Sequence, residues 1–277
     1  MKPPKIPALM GKKMSVGIGT RYERGLVICT DTKVVLSDGS TKVGTKLRLT
    51  QCGLGTFAIV NAATDDGNAG AVLSEEIAED LFRLKAGGSD PFVAAIKNRL
   101  RIWHAGYGSP STQPPATQFI IAVEARGYGG VYFVEPPQTV IYHYSRPLTI
   151  GGGAAAVDPL LSMVLPEIVA LRPTILKLAY LMYRAKKEQG ALVGGPTDLI
   201  VIRKDGDFRW LSTSEMNSAE KAIAAVDSVL RDCCRGLLCC HSDEDQRKSL
   251  TKFNDFFMKK SETFRNIRFP SLDGFDV

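Results

Sequence analysis

The stretch from residue 15 to residue 31 combines residue types and a spacing that could support chemistry. Alternating and β-branched residues occupy positions 16–22 and 26–31, and a turn at 23–25 joins the two runs. This pattern predicts a β-hairpin that Ser15 opens and Asp31 closes. A serine at the first residue of a strand can become a nucleophile when its own backbone amine is free to accept the hydroxyl proton. A chain whose first residue is Ser15 would meet that condition.

Two charged residues could assist such a serine. Asp31 closes the second strand of the predicted hairpin, and Lys46 begins the next apolar run. A free α-amine has a reference pKa of about 8, which suits a base working near neutral pH. A lysine held beside it would favour the neutral amine and lower the pKa of the hydroxyl, while the aspartate would keep that lysine charged and oriented. A structural ion pair at two strand ends is the alternative interpretation of Asp31 and Lys46.

This stretch resembles the N-terminus of mature proteasome β subunits and of the bacterial HslV-type protease, which are N-terminal nucleophile hydrolases. On that pattern Ser15 takes the place of the N-terminal threonine, and Gly25 falls on the hairpin glycine. Asp31 matches the active-site aspartate, and Lys46 resembles the catalytic lysine once one residue is deleted from the preceding loop. The resemblance therefore implies that Ser15, Asp31 and Lys46 are catalytic.

Later motifs extend the resemblance, in order, to about residue 211. Positions 58–65 resemble a strand-to-helix turn, in which the backbone N–H of Asn61 would donate to the oxyanion. Positions 148–153 are similar to a Gly-Ser-Gly turn that supports the nucleophile, with Gly152 in place of the serine. A late glycine pair at 194–195 precedes a strand, and Gly190 stands where the family has an aspartate. Water or Glu188 could compensate for these two losses.

The first fourteen residues decide whether Ser15 can carry a free amine. They are basic, contain three prolines and lack an apolar core, so they do not form a secretory signal. They are interpreted as a propeptide, a disordered arm, or the result of a start assigned upstream of Met14. Cleavage after Met14, or translation from Met14 followed by its removal, would each expose Ser15.

Composition restricts the class of protein. The chain has 277 residues, 44% hydrophobic and 23% charged, which is ample for a folded core. No apolar run approaches the roughly 20 residues of a membrane span. Six cysteines without an export signal favour a reducing cytoplasm. The net charge of +6 is carried largely by the two ends, and a solvated surface is favoured over nucleic-acid binding.

A group of cysteines at residues 233–240, followed by His241, is the one candidate for metal binding. Its spacing is not the Cys-x2-Cys of a zinc site, and adjacent cysteines rarely both bind one metal. Reduced thiols at a helix end are the preferred interpretation. The sequence therefore predicts neither a metal nor a cofactor.

The order of predicted elements is strands, two helices, strands, two helices and strands. A short turn is predicted at 37–39, a loop at 108–115, and a capping box at Ser212–Glu215. This order favours an α+β fold with antiparallel sheets stacked between helices, and the resemblance implies a four-layer αββα sandwich. Three parts follow: residues 1–14, a proteasome-like domain at 15–240, and a basic, helical C-terminal extension at 241–277.

The leading functional hypothesis is a cytoplasmic, proteasome-like hydrolase that cleaves peptide bonds with Ser15 after residues 1–14 are removed. The resemblance implies a homo-oligomeric ring that acts on unfolded or short polypeptides, with an unfoldase as a partner. One alternative is an inactive scaffold or ring subunit, which Gly152 and Gly190 favour. A second is an N-terminal nucleophile amidase that acts on a small molecule.

Overall fold

The structure is a computed structural model, and it describes residues 15–35, 40–63, 68–85, 88–106, 117–125, 128–135, 139–143, 146–239 and 242–275. The strands are β1 (Gly17–Tyr22), β2 (Gly25–Asp31), β3 (Lys33–Val35), β4 (Thr41–Val43), β5 (Leu47–Cys52), β6 (Gly55–Ala63), β7 (Thr117–Ala125), β8 (Tyr128–Glu135), β9 (Thr139–His143), β10 (Leu148–Ile150), β11 (Thr197–Arg203) and β12 (Phe208–Leu211). The helices are α1 (Asn68–Arg83), α2 (Ser89–Gly106), α3 (Ala154–Val164), α4 (Leu171–Glu188), α5 (Thr213–Cys239) and α6 (Asp243–Asn266), and a 3-10 turn follows at Pro270–Leu272.

Two five-stranded sheets form the centre of this mixed α/β structure. The first has the order β10-β1-β2-β11-β12 and the second has the order β5-β6-β7-β8-β9, while β3 and β4 form a separate pair. Neighbouring strands in all three sheets are antiparallel, as the sequence predicts. Within the second sheet, only two residues separate β5 from β6 and β7 from β8, whereas α1 and α2 lie between the paired strands β6 and β7. In the first sheet, β11 returns from far along the chain to pair with β2.

Alternation along the strands divides the core into three hydrophobic clusters. Successive residues of a strand point to opposite faces, so Leu26 and Ile28 of β2 pack between the sheets while Val27 and Cys29 face the helices. The cluster between the sheets takes residues from both of them. A second cluster joins the first sheet to α3, α4 and α5, and a third joins the second sheet to α1 and α2.

The hairpin predicted at the start of the domain is confirmed. β1 and β2 pair along their whole length, with Gly17 opposite Thr30 and Tyr22 opposite Gly25. A side chain at Gly25 is excluded, because a Cβ there would lie 2.0 Å from the carbonyl oxygen of Ile202 on β11. The close approach of a third strand therefore explains the glycine at the turn.

The capping box is also confirmed. The N–H of Glu215 donates to Ser212 Oγ at 3.3 Å, and Glu215 Oε2 accepts from the N–H of Ser212 at 2.7 Å. Two segments that the resemblance assigns to turns are partly strand: β6 continues to Ala63, and residues 148–150 form β10 before Gly151. The turn predicted at 37–39 and the loop predicted at 108–115 lie outside the described residues.

The C-terminal region folds back onto the first sheet's helices. α6 packs along α5, and Ile267, Phe269 and Phe275 are buried in the cluster that includes α4 and α5. Arg172 donates to the carbonyl oxygens of Phe264 and Ile267, at 2.9 and 3.1 Å, at the end of α6. Among the described helices, none has both the length and the apolarity that crossing a bilayer requires.

Candidate active site

The side chains of Ser15, Asp31 and Lys46 meet at one end of the first sheet. Ser15 Oγ donates to Asp31 Oδ1 at 2.6 Å, and Lys46 Nζ donates to Ser15 Oγ at 2.6 Å. Lys46 Nζ also lies 3.0 Å from Asp31 Oδ1. All three residues are buried, and Asp31 has no exposed surface. The three residues that the sequence singles out are therefore mutually hydrogen-bonded.

Backbone groups fix the carboxylate of Asp31. Its Oδ1 accepts from the N–H of Val16 at 2.9 Å, and its Oδ2 accepts from the N–H of Gly194 at 3.1 Å. These donors come from the start of the first hairpin and from the segment before β11. The β1–β2 and β2–β11 pairings bring both segments to the end of β2. A hydrogen bond to each oxygen holds the carboxylate in one orientation.

Lys46 reaches the site from the end of the second sheet. Its ammonium donates to Ser15 Oγ, to Asp31 and to the carbonyl oxygen of Lys33. Burial lowers the pKa of Lys46, and the nearby Asp31 carboxylate opposes that effect. Burial and the same Asp31 charge raise the pKa of Asp198, on the neighbouring strand. Lys46 therefore loses its proton more readily than a lysine in water.

Both ends of the Ser15 backbone are held. Its N–H donates to the carbonyl oxygen of Leu192 at 3.1 Å, and its carbonyl oxygen accepts from the N–H of Gly153 at 2.9 Å. The φ of Ser15 is +94°, the only positive φ of a non-glycine residue among the described residues. An L-residue rarely adopts that region, and doing so costs of order 1–3 kcal/mol.

The structure corrects the expectation for Asn61. This residue lies inside β6, and its N–H donates to the carbonyl oxygen of Lys46 at 3.2 Å. The donor predicted for an oxyanion is therefore already used by the sheet. The resemblance to a strand-to-helix turn at 58–65 gave that expectation, whereas β6 continues to Ala63. The side-chain amide of Asn61 donates to Ser74 Oγ at 3.3 Å, on α1.

The turn that contains Gly152 does reach Ser15, but its contact with Ser15 is made by the neighbouring Gly153. Gly190 lies near the site as well, and its carbonyl oxygen accepts from Lys33 Nζ at 2.7 Å. Glu188 does not compensate for Gly190, because it pairs with Arg184 one helical turn earlier, 2.9 Å from Arg184 Nε.

Two residues near the site carry contacts that the sequence analysis does not assign. Lys33 Nζ donates to the carbonyl oxygens of Gly190 and Ala191, next to Leu192. Its position two residues after Asp31 is a signal that could have indicated it. Gln118 bonds the turn before α3, and nothing in its sequence neighbourhood indicates that role.

The cysteine group of α5 is described in part. Cys233 is buried and Cys234 is exposed, and neither forms a disulfide. Within the described residues, no three His, Cys, Asp or Glu side chains lie close enough to hold a metal ion. His241 and Cys240 lie outside the described residues.

Comparison with known proteins relates the fold to Anbu, a proteasome-like protein. No protein-family model and no curated protein matches the sequence. Among solved structures, a Gly-1 mutant of Anbu from Hyphomicrobium sp. strain MC1 matches with a TM-score of 0.63 at 19% identity, over 79% of this chain and 96% of that one. Anbu from Yersinia bercovieri, described as an ancestral beta-subunit, has a TM-score of 0.63 at 12% identity, over 78% of this chain and 97% of that one.

A third match is the helical assembly of the Anbu complex from Pseudomonas aeruginosa. Its TM-score is 0.63 at 15% identity, over 78% of this chain and 96% of that one. At these identities the matches establish the fold alone. The chain has a proteasome-like fold, and about one fifth of it lies outside each match.

Proposed function

We propose that this protein is a proteasome-like peptide-bond hydrolase with Ser15 as its N-terminal nucleophile. One observation carries the proposal: Ser15 Oγ lies 2.6 Å from Lys46 Nζ and 2.6 Å from Asp31 Oδ1 in a buried site. A serine hydroxyl between a lysine and a carboxylate can be activated for attack on a carbonyl carbon. The proteasome-like fold supports the same chemistry by analogy.

Exposure of the Ser15 amine is the first requirement, and the backbone supports it. The φ of Ser15 is a rotation about its own N–Cα bond, measured against the peptide bond to residue 14. Loss of that peptide bond removes the strained +94° torsion along with the preceding residues. The freed nitrogen keeps its neighbour, the carbonyl oxygen of Leu192.

The proposed reaction then proceeds through an ester. The oxygen of Ser15 attacks the carbonyl carbon of the peptide, and the hydroxyl proton passes to the α-amine of Ser15. That proton next goes to the leaving amine as the peptide C–N bond breaks, and water later cleaves the ester. Lys46 donates to Ser15 Oγ and stabilises the charge that develops on it. Because the pKa of Lys46 is lowered, its side chain can also relay the proton from Ser15 Oγ to the α-amine of Ser15.

The oxyanion donor is reassigned to the backbone N–H of Ala63. N–H groups along a strand alternate between its two edges, so Ala63 and Asn61 point to the same edge. Asn61 already donates to Lys46, and β5 begins only at Leu47, so the Ala63 donor lies beyond the end of β5. A Cβ at Gly151 would lie 2.3 Å from the Ser15 carbonyl oxygen and 3.1 Å from Ala62 Cβ, which supports a position near the nucleophile.

The wider proposal concerns architecture and assembly. The three successive hydrophobic clusters support a four-layer αββα sandwich, and the three parts 1–14, 15–240 and 241–277 remain the proposed organisation. The helical assembly of the Pseudomonas aeruginosa protein supports self-association of this chain, as a ring or a helix. Unfolded polypeptides are the proposed substrates, with an unfoldase as partner and the cytoplasm as location.

Labelling with an electrophilic inhibitor of N-terminal nucleophiles tests the proposal. Intact mass is first used to verify that the chain begins at Ser15. We expect one covalent label per chain, retained in Ser15→Thr and abolished in Ser15→Ala. Absence of labelling in a correctly trimmed, folded protein would contradict the proposal.

An inactive subunit is the second candidate, and Gly152 and Gly190 favour it. Neither glycine can offer the hydroxyl or carboxylate that the family pattern has at these positions. This candidate predicts the same fold and self-association without labelling. Light scattering on the trimmed chain separates it from a monomeric amidase for small molecules.

A further inference from the structure

We propose that Gln118 is a positioning residue for Ser15, acting through the turn at residues 151–153. The inference rests on the proposed function of Ser15 as the nucleophile. Gln118 lies on β7 in the second sheet, whereas the turn follows β10 in the first sheet. A hydrogen bond from the N–H of Gly151 to Gln118 Oε1, at 3.0 Å, therefore joins the two sheets beside the site.

The orientation of the Gln118 amide is determined by its two partners. Its Nε2 donates to Glu135 Oε1 at 2.7 Å, on β8. A carboxylate can only accept and a backbone N–H can only donate, so one orientation of the amide satisfies both contacts. Glu135 thus keeps Gln118 Oε1 directed at Gly151.

The held turn in turn fixes the nucleophile's backbone. Gly151 has a φ of +86°, which favours glycine, and a Cβ there would lie 2.3 Å from the Ser15 carbonyl oxygen. Two residues later, the N–H of Gly153 donates to that same oxygen at 2.9 Å. The carbonyl carbon and the Cβ of Ser15 are bonded to the same Cα, so a shift of the carbonyl group also turns the Cα–Cβ bond. A displaced turn would therefore move Oγ away from Lys46.

This support replaces a side chain that the turn lacks. Gly152 offers no hydroxyl, so contacts from the turn to the nucleophile are limited to backbone groups. A backbone turn with two or more glycines has many accessible conformations and gains from an external anchor. Gln118 supplies that anchor from a central strand, between β6 and β8 of the second sheet.

Three variants test the role. Gln118→Met keeps the length of the side chain and removes the acceptor for Gly151. Gln118→Glu keeps an acceptor but places a second carboxylate against Glu135. The double variant Gln118→Glu/Glu135→Gln restores a donor and an acceptor between the two positions, and it leaves an acceptor facing Gly151. Gln51→Met, at an exposed position of β5, is the matched control.

Two measurements are made on the chain that begins at Ser15 and runs to residue 277. The first is inhibitor labelling, separated into the maximal rate and the inhibitor concentration at half-maximal rate. We expect Gln118→Met to lower the maximal rate of labelling at least tenfold. The inhibitor concentration at half-maximal rate should change little, because the substitution displaces the nucleophile and not the residues that bind the inhibitor. The double variant should recover most of the rate, and the Gln51→Met control should match the parent.

The second measurement is hydrogen exchange of the Gly151 and Gly153 amides, which does not depend on activity. We expect faster exchange in Gln118→Met and near-parent exchange in the double variant. Unchanged exchange and an unchanged rate in Gln118→Met would overturn the inference. If the parent is not labelled at all, the proposed function fails, and exchange at Gly151 alone decides whether Gln118 holds the turn.

Discussion

At the scale of single residues, Ser15 combines a hydrogen-bonded hydroxyl with an unfavourable backbone conformation. Its hydroxyl bonds to Lys46 and Asp31, while its φ of +94° belongs to a region that favours glycine. The contacts that hold its carbonyl oxygen and its N–H keep it in this conformation. The positive φ therefore belongs to the chain that carries residue 14, and the proposed form that begins at Ser15 would not have it.

Two substitutions at this position should separate the strain from the chemistry. In the full chain, we expect Ser15→Gly to be more stable than Ser15→Ala by about 1 kcal/mol, because only glycine adopts a positive φ without strain. In a chain that begins at residue 15, that advantage should disappear. Chemical denaturation of the four proteins measures the difference. An equal advantage of glycine in both lengths would contradict the assignment of the strain to the peptide bond before Ser15.

At the scale of elements, the two ends of the stacked sheets hold different polar groups. One end holds the hydrogen-bonded residues of the site, and the far end holds Glu124 between the sheets, beyond Ile120 and Ala122 of the same strand. Glu124 is 3% exposed, and its Oε1 lacks a hydrogen-bond partner among the described residues. Burial raises the pKa of Glu124 to about 7, although Arg21 and Lys204 oppose that rise.

This raised pKa predicts a stability that depends on pH. The ordinary pKa of a glutamate is 4.5, so between pH 4.5 and about 7 the folded chain holds a proton that the unfolded chain has lost. Stability should therefore fall as pH rises through that window, by about 1–3 kcal/mol, and remain level above it. Glu124→Gln should lack this decline. Urea denaturation at several pH values measures it, with the exposed Glu262→Gln as control.

A decline of equal size in Glu124→Gln and in the parent would contradict this account. The reason is local: the carboxylate lies over Gly129, where a Cβ would be 2.5 Å from both of its oxygens, and no described side chain neutralises it by a close ion pair. Protonation of Glu124 neutralises the buried carboxylate and so removes the free-energy cost of burying its charge.

At the scale of the whole molecule, the C-terminal segment, residues 267–275, packs into the folded core. Phe275 is 2% exposed, and the guanidinium carbons of Arg203 and Arg209 lie 5.1 and 5.2 Å from its ring centre. Ser271 bonds Glu215 at the capping box of α5, through its N–H at 2.8 Å. The segment therefore connects the last strand of the first sheet, the start of α5 and the end of α6.

Truncation of Phe275 should weaken the entire fold. We expect Phe275→Ala to cost about 3 kcal/mol in the free energy of unfolding, because it removes a buried ring and leaves a cavity. Phe257→Ala, on the exposed face of α6 at 51% exposure, should change that free energy by less than about 0.5 kcal/mol. Equal effects of the two changes would show that the segment is a detachable extension.

Much of the architecture could be predicted because it depends on local patterns. Alternation predicted the β1–β2 hairpin, and the Ser212–Glu215 capping box predicted the start of α5. The ends of strands were harder, since β6 runs on to Ala63 through pairing with β7, which local propensity does not reveal. The resemblance placed the expected oxyanion donor at Asn61, inside this strand, where the N–H already donates to Lys46.

The amino-acid sequence by itself determined the candidate trio of Ser15, Asp31 and Lys46, because residue types at strand ends are a local signal. Only the tertiary structure decided what surrounds them. The anchors of Ser15 come from residues 118, 153 and 192, which are distant in sequence and meet only when the two sheets stack. Hydrogen bonds between distant segments depend on register and packing, and neither is written in any one stretch of the chain.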